Sequence, residues 1–83
     1  MDEKQTFKTY IRKDHRLGKN KYVLGMISGI LHAICCRDED IRPGMGSTKE
    51  YYIIPVTCTK DQYMEFTRVV GPLYGDLCTF QIN

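Results

Sequence analysis

The sequence has no hydrophobic run long enough to cross a membrane. Its longest stretch without a formal charge, "YVLGMISGILHAICC" at residues 22–36, contains Ser28 and His32 and is shorter than the roughly 20 apolar residues of a transmembrane helix. The amino terminus, "MDEKQTFK", is polar and lacks the pattern of a signal peptide. These absences favour a cytoplasmic protein, in the host cytosol if the chain is viral, with reduced cysteines and no membrane partner.

Low-complexity tracts and internal repeats are also missing. The composition, 42% hydrophobic and 27% charged over 83 residues, is that of a globular chain rather than a disordered one. We therefore predict a single domain over residues 1–83. A chain of this length buries only about 60% of its unfolded surface, so small domains often gain stability by forming oligomers.

The sequence carries no motif for catalysis, cofactors or metal binding. The cysteines form no C-x-x-C pair and the histidines no H-x-x-x-H pair. "GMGST" at residues 44–48 lacks both the Walker and the G-x-G-x-x-G spacing, and is typical of a flexible linker. The one candidate nucleophile–base constellation is Cys35 or Cys36 with His15 or His32. His32 and Cys36 would be one helical turn apart, but no supporting signature accompanies them and such a pair is more typical of a packed core. We predict that the protein is not an enzyme and binds no cofactor or metal.

Positive charge is concentrated near the amino terminus. Residues 4–21 hold seven Lys or Arg against one acid, a net charge of +6 where the whole chain has +2. Aromatic rings lie between these cations, a pattern that suits phosphates and unpaired bases, although a solvated strand and loop would carry the same charge. No RNP or KH signature accompanies the pattern. The candidate nucleic-acid-binding residues are Lys8, Tyr10, Arg12, Lys13, Arg16, Lys19 and Lys21.

Residues 22–36 admit three interpretations. If they form one helix, four apolar side chains lie along one side of it: Val23, Ile27, Ile30 and Ile34. Two glycines and four β-branched residues disfavour that helix. A short helix followed by a strand, and a hairpin of two strands, are therefore the alternatives.

In the helical interpretation, the opposite face of residues 22–36 is small and uncharged. Gly25 and Gly29 lie four residues apart and would form a notch where another backbone can approach. We therefore predict a homodimer interface at Gly25, Gly29 and His32.

The remaining segments predict a sheet with a helix packed on it. "TFKTYIRK" alternates apolar and polar side chains, which is typical of an antiparallel or edge strand with one solvated face. "EYYIIPVTC" and "LCTFQIN" are rich in strand-forming residues, and Pro55 predicts an edge or a bulge. The charged and Gly-rich residues 37–49 predict a mobile loop.

The clearest predicted element is a helix after residue 58. Thr59 and Gln62 have the spacing of a capping box, and Gly71 followed by Pro72 predicts the helix end. The buried stripe is predicted at Tyr63, Phe66 and Val70. The fold class is therefore α+β: a mainly antiparallel sheet of three to four strands with one or two helices packed on it.

One segment resembles a known family. "VLGMISGIL", with the order helix, strand, strand, helix, strand from residue 22 to the end, looks like the half-domain of LAGLIDADG homing endonucleases. In that family the motif helices pack through small residues, which Gly25 and Gly29 match. The metal-binding acid of the family falls on Ile30 and the closing glycine on Leu31, so the resemblance implies a non-catalytic relative that dimerises and contacts DNA.

Two functions follow from this sequence. The first is a small protein-binding regulator or inhibitor, of phage or mobile-element origin, that acts by surface complementarity on a protein target. Tyrosine provides a large contact area at low entropic cost, and the predicted contact residues are Tyr51, Tyr52, Asp38, Glu39, Asp40 and Met45. The second is a nucleic-acid-binding regulator that uses the basic segment 4–21.

Overall fold

The computed structural model describes residues 3–13, 20–37 and 44–81. These residues form four strands and two helices in the order β1, α1, β2, β3, α2, β4. Their bounds are β1 Lys4–Arg12, α1 Asn20–Cys35, β2 Gly46–Ser47, β3 Tyr51–Thr59, α2 Lys60–Tyr74 and β4 Cys78–Gln81. The prediction of a small α+β fold is confirmed.

The four strands form one antiparallel sheet in the order β2-β3-β1-β4. β1 therefore lies between β3 and β4, and each helix connects two strands that are separated by a third. This element order and strand order are those of the split β-α-β, or ferredoxin-like, topology. The helices contact each other and pack on the sheet.

β1 is a central strand, and its alternation decides which side chains reach the core. Phe7, Thr9 and Ile11 are fully buried beneath the helices, and the intervening residues point to the opposite face, as the sequence predicted. The edge position considered for this strand is wrong, because β1 pairs with β3 along its whole length and with β4 on its other side. The first half of the basic segment 4–21 is this central strand.

Residues 20–35 form one continuous helix, so the hairpin and the helix-then-strand alternatives are wrong. Ile27, Leu31 and Cys35 are its buried positions, and the other members of the predicted apolar stripe are half-buried. Packing of this face on α2 and β3 outweighs the low helix propensity of the two glycines. Within the described residues, neither helix has the length and hydropathy that a membrane span requires.

The start of α2 is as predicted. The backbone N–H of Gln62 donates to the Thr59 hydroxyl at 3.2 Å, and the Gln62 side-chain oxygen accepts from the Thr59 N–H at 3.0 Å. This reciprocal pair is a capping box that satisfies two backbone donors of the first turn. The buried stripe of the helix is also confirmed: Tyr63, Phe66 and Val70.

The predicted end of α2 is wrong. The helix passes through Gly71 and Pro72 and continues to Tyr74, and Gly75 caps it in a right-handed conformation. Pro72 has no N–H to donate, so the last turn lacks one helical hydrogen bond. Contact of Tyr74 with the core, and a 2.8 Å bond from the Gly75 N–H to the Gly71 carbonyl, support the extra turn. A Cβ at position 75 would collide with that carbonyl oxygen, so glycine is required there rather than at position 71.

The predicted mobile loop, residues 37–49, contains a short strand. Gly46 and Ser47 form β2 and pair with Ile53 and Tyr52 of β3, while residues 38–43 lie outside the described part of the chain. Pairing by β2 stops at Ile53. At Pro55, therefore, none of the described residues pairs with the β2 side of β3. This suits a proline within a strand, because proline has no N–H to donate to a neighbouring strand.

The core lies between the helices and one face of the sheet. Its buried residues are Phe7, Ile11, Ile27, Leu31, Cys35, Cys36, Ile54, Val56, Cys58, Tyr63, Phe66 and Val70. Tyr63 is central: its ring stacks on Phe7 with a centroid distance of 4.6 Å and an interplanar angle of 7°.

The Tyr63 hydroxyl is the polar connection between α2 and β1. It donates to the Lys8 carbonyl at 3.1 Å and lies 2.8 Å from the hydroxyl of Thr9. A phenol has one proton, so Thr9 is the donor in the second bond. Thr9 is the one buried polar side chain among the described residues, and this bond satisfies it. Burial raises the pKa of Tyr63 to about 12, against an opposing contribution from the Thr9 hydrogen bond.

We expect Tyr63→Phe to lower the free energy of unfolding by about 1–3 kcal/mol, because the Thr9 hydroxyl is then buried without a partner. Urea denaturation followed by circular dichroism measures this loss. Tyr63→Phe combined with Thr9→Val removes both partners, so the double variant should be more stable than the sum of the two single losses implies. Strictly additive losses would show that the two hydroxyls are not coupled.

Candidate nucleic-acid interface

One face of the sheet is not covered by either helix. β1 exposes Lys8, Tyr10 and Arg12 on this face, opposite its buried positions. Cross-strand partners share a face, so the register of β3 and β4 completes the surface. We call it the open face; it comprises Lys8, Tyr10, Arg12, Tyr51, Ile53, Pro55, Thr79 and Gln81.

Two tyrosine rings lie side by side on the open face. The centroids of Tyr10 on β1 and Tyr51 on β3 are 6.1 Å apart, and the rings are nearly perpendicular at 86°. The Tyr10 hydroxyl donates to the Gln81 side-chain oxygen at 3.0 Å, which ties that ring to β4. Both rings are half-buried, so each retains surface that a ligand can contact.

Cations flank the Tyr10 ring along β1. Lys8 and Arg12 are each two residues away on the same face, which places their Cα atoms about 13 Å apart at the rise of a strand. None of the described residues of the open face is acidic. The prediction that Lys8, Tyr10 and Arg12 share a sheet face is therefore confirmed.

Lys13 is held at the end of the sheet. Its ammonium donates to the Ser47 hydroxyl at 2.6 Å and to the Thr48 carbonyl at 2.7 Å. It also lies 4.8 Å from the centroid of the Tyr52 ring. Lys13 therefore links β1 to the turn between β2 and β3, and its position is fixed by protein contacts.

Several of the other predicted nucleic-acid-binding positions are not described. Arg16 and Lys19 lie outside the described residues. Lys21 belongs to α1, but its side chain lies outside the described part. The structure thus brings together only the part of the predicted set that lies in β1.

Among the described residues, the predicted protein contacts Tyr51 and Tyr52 point to opposite sides of the sheet. Tyr51 lies on the open face, whereas Tyr52 is paired with buried Ile11 and points to the helix side. Met45 is 64% exposed. The predicted acidic contacts Asp38, Glu39 and Asp40 lie outside the described residues.

The predicted dimer positions are on the outer face of α1. Gly25 and Gly29 are exposed, and no described atom lies within 4 Å of a Cβ placed on either. His32 is half-buried. Tyr22 and Met26 are exposed beside the glycines, at 72% and 42%, so the described side chains of this face carry no acid, Lys or Arg and are partly apolar.

A cavity that the sequence did not reveal lies at the end of the open face. It has a volume of about 340 Å³ and is lined by Arg12, Lys13, Lys49, Glu50 and Tyr51. Three of these residues are cations and one is an acid, so the lining has a positive balance. Lys49 precedes β3 in a polar turn, and only the pairing of Arg12 with Tyr51 brings it close to β1.

Three cysteines are buried together beneath the sheet. Cys35, Cys36 and Cys58 belong to the same cluster of buried core residues. Burial raises the pKa of Cys35, Cys36 and Cys58, and it raises that of the separate Cys78 to about 11. Nucleophilic thiols need a lowered pKa, so this environment does not favour the Cys36–His32 constellation. Among the described residues, no group of three or more His, Cys, Asp or Glu side chains is arranged so that it could hold a metal ion.

We expect the native protein to protect its buried thiols. Cys35, Cys36 and Cys58 should react with an aromatic disulfide reagent on the order of a hundredfold more slowly than after unfolding, because reaction requires opening of the core. Absorbance of the released thiolate, with and without denaturant, measures the ratio. Cys36→Ser provides the control, and rapid native labelling that this variant loses would indicate an activated Cys36.

No protein-family model, curated protein or solved structure matches this chain. The resemblance of the helix at residues 20–35 to the homing-endonuclease motif therefore rests on the sequence pattern alone.

Proposed function

We propose that the protein binds single-stranded nucleic acid on the open face of its sheet. One observation carries this proposal: the neighbouring rings of Tyr10 and Tyr51 occupy a sheet surface that neither helix covers and that also holds Lys8 and Arg12. Rings contact bases, and cations contact phosphates. The protein would act as a regulator by occupying the strand rather than by cleaving it.

The position of the rings supports this role. Tyr10 and Tyr51 lie on the opposite side of the sheet from the buried core, so the core does not require an aromatic residue at either position. Partly exposed aromatic pairs on a surface that also carries cations are suited to a planar ligand. Stacking of one base on such a ring contributes about 1–3 kcal/mol by alanine substitution.

The shape of the surface favours unpaired bases over a duplex. In a duplex the bases are stacked on one another, and their flat surfaces are inaccessible to a side-chain ring. A broad sheet presents its rings to bases that are already splayed out. RNA-recognition modules use a four-stranded sheet with exposed aromatic residues in this way; the present chain shares that geometry and lacks their RNP signature.

We expect Tyr10→Ala to weaken binding of a fluorescein-labelled oligonucleotide of about eight nucleotides by roughly 10- to 100-fold, the loss of one stacked base. Fluorescence anisotropy at about 50 mM salt measures the affinity. Tyr10→Phe keeps the ring and loses only the bond to Gln81, so it should bind nearly as well as the unmodified chain. Tyr22→Ala removes an exposed tyrosine from α1 and is the matched control.

A salt titration separates phosphate contacts from ring contacts. Lys8→Gln should reduce the slope of log affinity against log salt by about 0.7, the value for one phosphate contact with a single strand. Arg68→Gln removes an exposed cation from α2 and should leave the slope unchanged. Two results would contradict binding at the open face. One is an equal change of the salt slope in Lys8→Gln and Arg68→Gln, and the other is an equal loss of affinity in Tyr10→Ala and Tyr22→Ala.

Protein binding through α1 is the second candidate. The specific observation is the outer face of this helix, where the apolar side chains of Tyr22 and Met26 are exposed beside Gly25 and Gly29. These four residues carry no charge that would oppose contact with a second copy, and dimers with two-fold symmetry bring identical patches together. We therefore propose a second copy of the chain as the partner for this face.

We expect the sedimentation coefficient to rise with protein concentration as the dimer forms. Gly29→Glu should abolish that rise, because it places two carboxylates in the contact. The change should not unfold the monomer, since no described atom obstructs the position and glycine is a weaker helix former by about 1 kcal/mol. Gly29→Ala is the milder control, and a monomer at every concentration would contradict the proposal.

A further inference from the structure

We infer that the cavity lined by Arg12, Lys13, Lys49, Glu50 and Tyr51 binds the terminal phosphomonoester of a nucleic-acid strand on the open face. The inference rests on the proposed function. It adds that the protein distinguishes a phosphorylated strand end from an unphosphorylated one.

The cavity is continuous with the proposed binding surface. Arg12 and Tyr51 are cross-strand partners on the open face, and both also line the cavity. Beyond this pair the ladder ends with one further bond, from the Lys13 N–H to the Glu50 carbonyl at 2.8 Å. A strand that stacks on Tyr10 and Tyr51 therefore reaches the cavity where the sheet ends.

The charge of the cavity suits a terminal phosphate better than an internal one. Apart from Lys13, whose ammonium lies on the helix side of the sheet, the lining residues comprise the cations Arg12 and Lys49 and the single acid Glu50. A phosphodiester in the middle of a strand carries one negative charge, whereas a phosphomonoester carries about −1.5 to −2 at neutral pH because its second pKa is near 6. The excess of positive charge therefore favours the terminal phosphomonoester over an internal phosphodiester.

The donors are suited to phosphate oxygens. The Lys13 ammonium is held on the helix side of the sheet, beside the Tyr52 ring, so it contributes charge near the cavity rather than a phosphate donor. The guanidinium of Arg12 has the planar, forked geometry that binds phosphate through paired hydrogen bonds. Lys49 is exposed in the turn and supplies a further charge.

The size of the cavity is also appropriate. Its volume of about 340 Å³ is at the lower end of the roughly 300–1,000 Å³ range of small-molecule sites. A phosphate with its attached sugar is a ligand of this scale. The Tyr51 ring forms one wall and connects the phosphate position to the base-stacking position.

The test compares three oligonucleotides of one sequence, with a 5′-phosphate, with a 3′-phosphate and with neither, all carrying an internal fluorophore. We expect one phosphorylated form to bind the unmodified protein about tenfold more tightly than the unphosphorylated form, as charge-assisted hydrogen bonds predict. The preference should decrease as the pH falls through about 6, where the phosphomonoester gains a proton. Equal affinity for all three strands would overturn the inference.

Substitutions of the lining residues test whether the preference for a phosphorylated strand arises in the cavity. Lys49→Gln should bring the affinity ratio of phosphorylated to unphosphorylated strand close to one. Tyr10→Ala should weaken both strands and preserve the ratio. Lys60→Gln removes an exposed cation at the start of α2 and is the control that should keep the full ratio. Persistence of the preference in Lys49→Gln and in Lys13→Gln would place the phosphate elsewhere and overturn the assignment.

Two further results separate this inference from the function on which it rests. Absence of binding to every oligonucleotide would refute the open-face proposal, whereas binding without an end preference would refute only the cavity assignment. A nucleoside monophosphate is the second source of the same chemistry. If it binds as tightly as the phosphorylated oligonucleotide, the ligand is a free nucleotide, and the strand-end assignment is overturned.

Discussion

The contact of Tyr63 with β1 fixes the rest of this structure. Its hydroxyl reaches the backbone of Lys8 and the side chain of Thr9, and its ring stacks on Phe7. These contacts hold β1 against α2 with one defined face inward. A shift of one residue would bury the alternate side chains and expose the core residues. The buried hydrogen bond therefore determines which residues the protein presents to a ligand.

The functional surface follows from that orientation. With Phe7, Thr9 and Ile11 inside, the intervening side chains of β1 point outward, and pairing with β3 brings Tyr51 next to Tyr10. A core of tightly packed rings on one side of the sheet thus supports an aromatic and cationic surface on the other. Backbone ladders on both sides of β1 make this surface rigid, which lowers the entropic cost of binding.

Local patterns predicted much of this fold, and long-range pairing accounts for the rest. Alternation along β1 and the capping box at Thr59 depend on neighbouring residues, so both could be predicted from the sequence. The central position of β1 and the cavity beside Lys49 depend on contacts between distant segments, which a single sequence does not specify. The predicted end of α2 before Pro72 is wrong, because packing of the following turn outweighs the local tendency of proline to end a helix. The closeness of Tyr51 to Tyr10 likewise depends on strand pairing, so the sequence alone does not bring the two rings together.

Binding at the open face is the central claim, and chemical-shift mapping tests it most directly. An unlabelled oligonucleotide would be added to ¹⁵N-labelled protein with selectively labelled tyrosine rings. The account predicts shifts in the ring resonances of Tyr10 and Tyr51 and in the amides of β1 and β3, with α1 and α2 largely unaffected. Shifts confined to the helices, or none at saturating oligonucleotide, would contradict it.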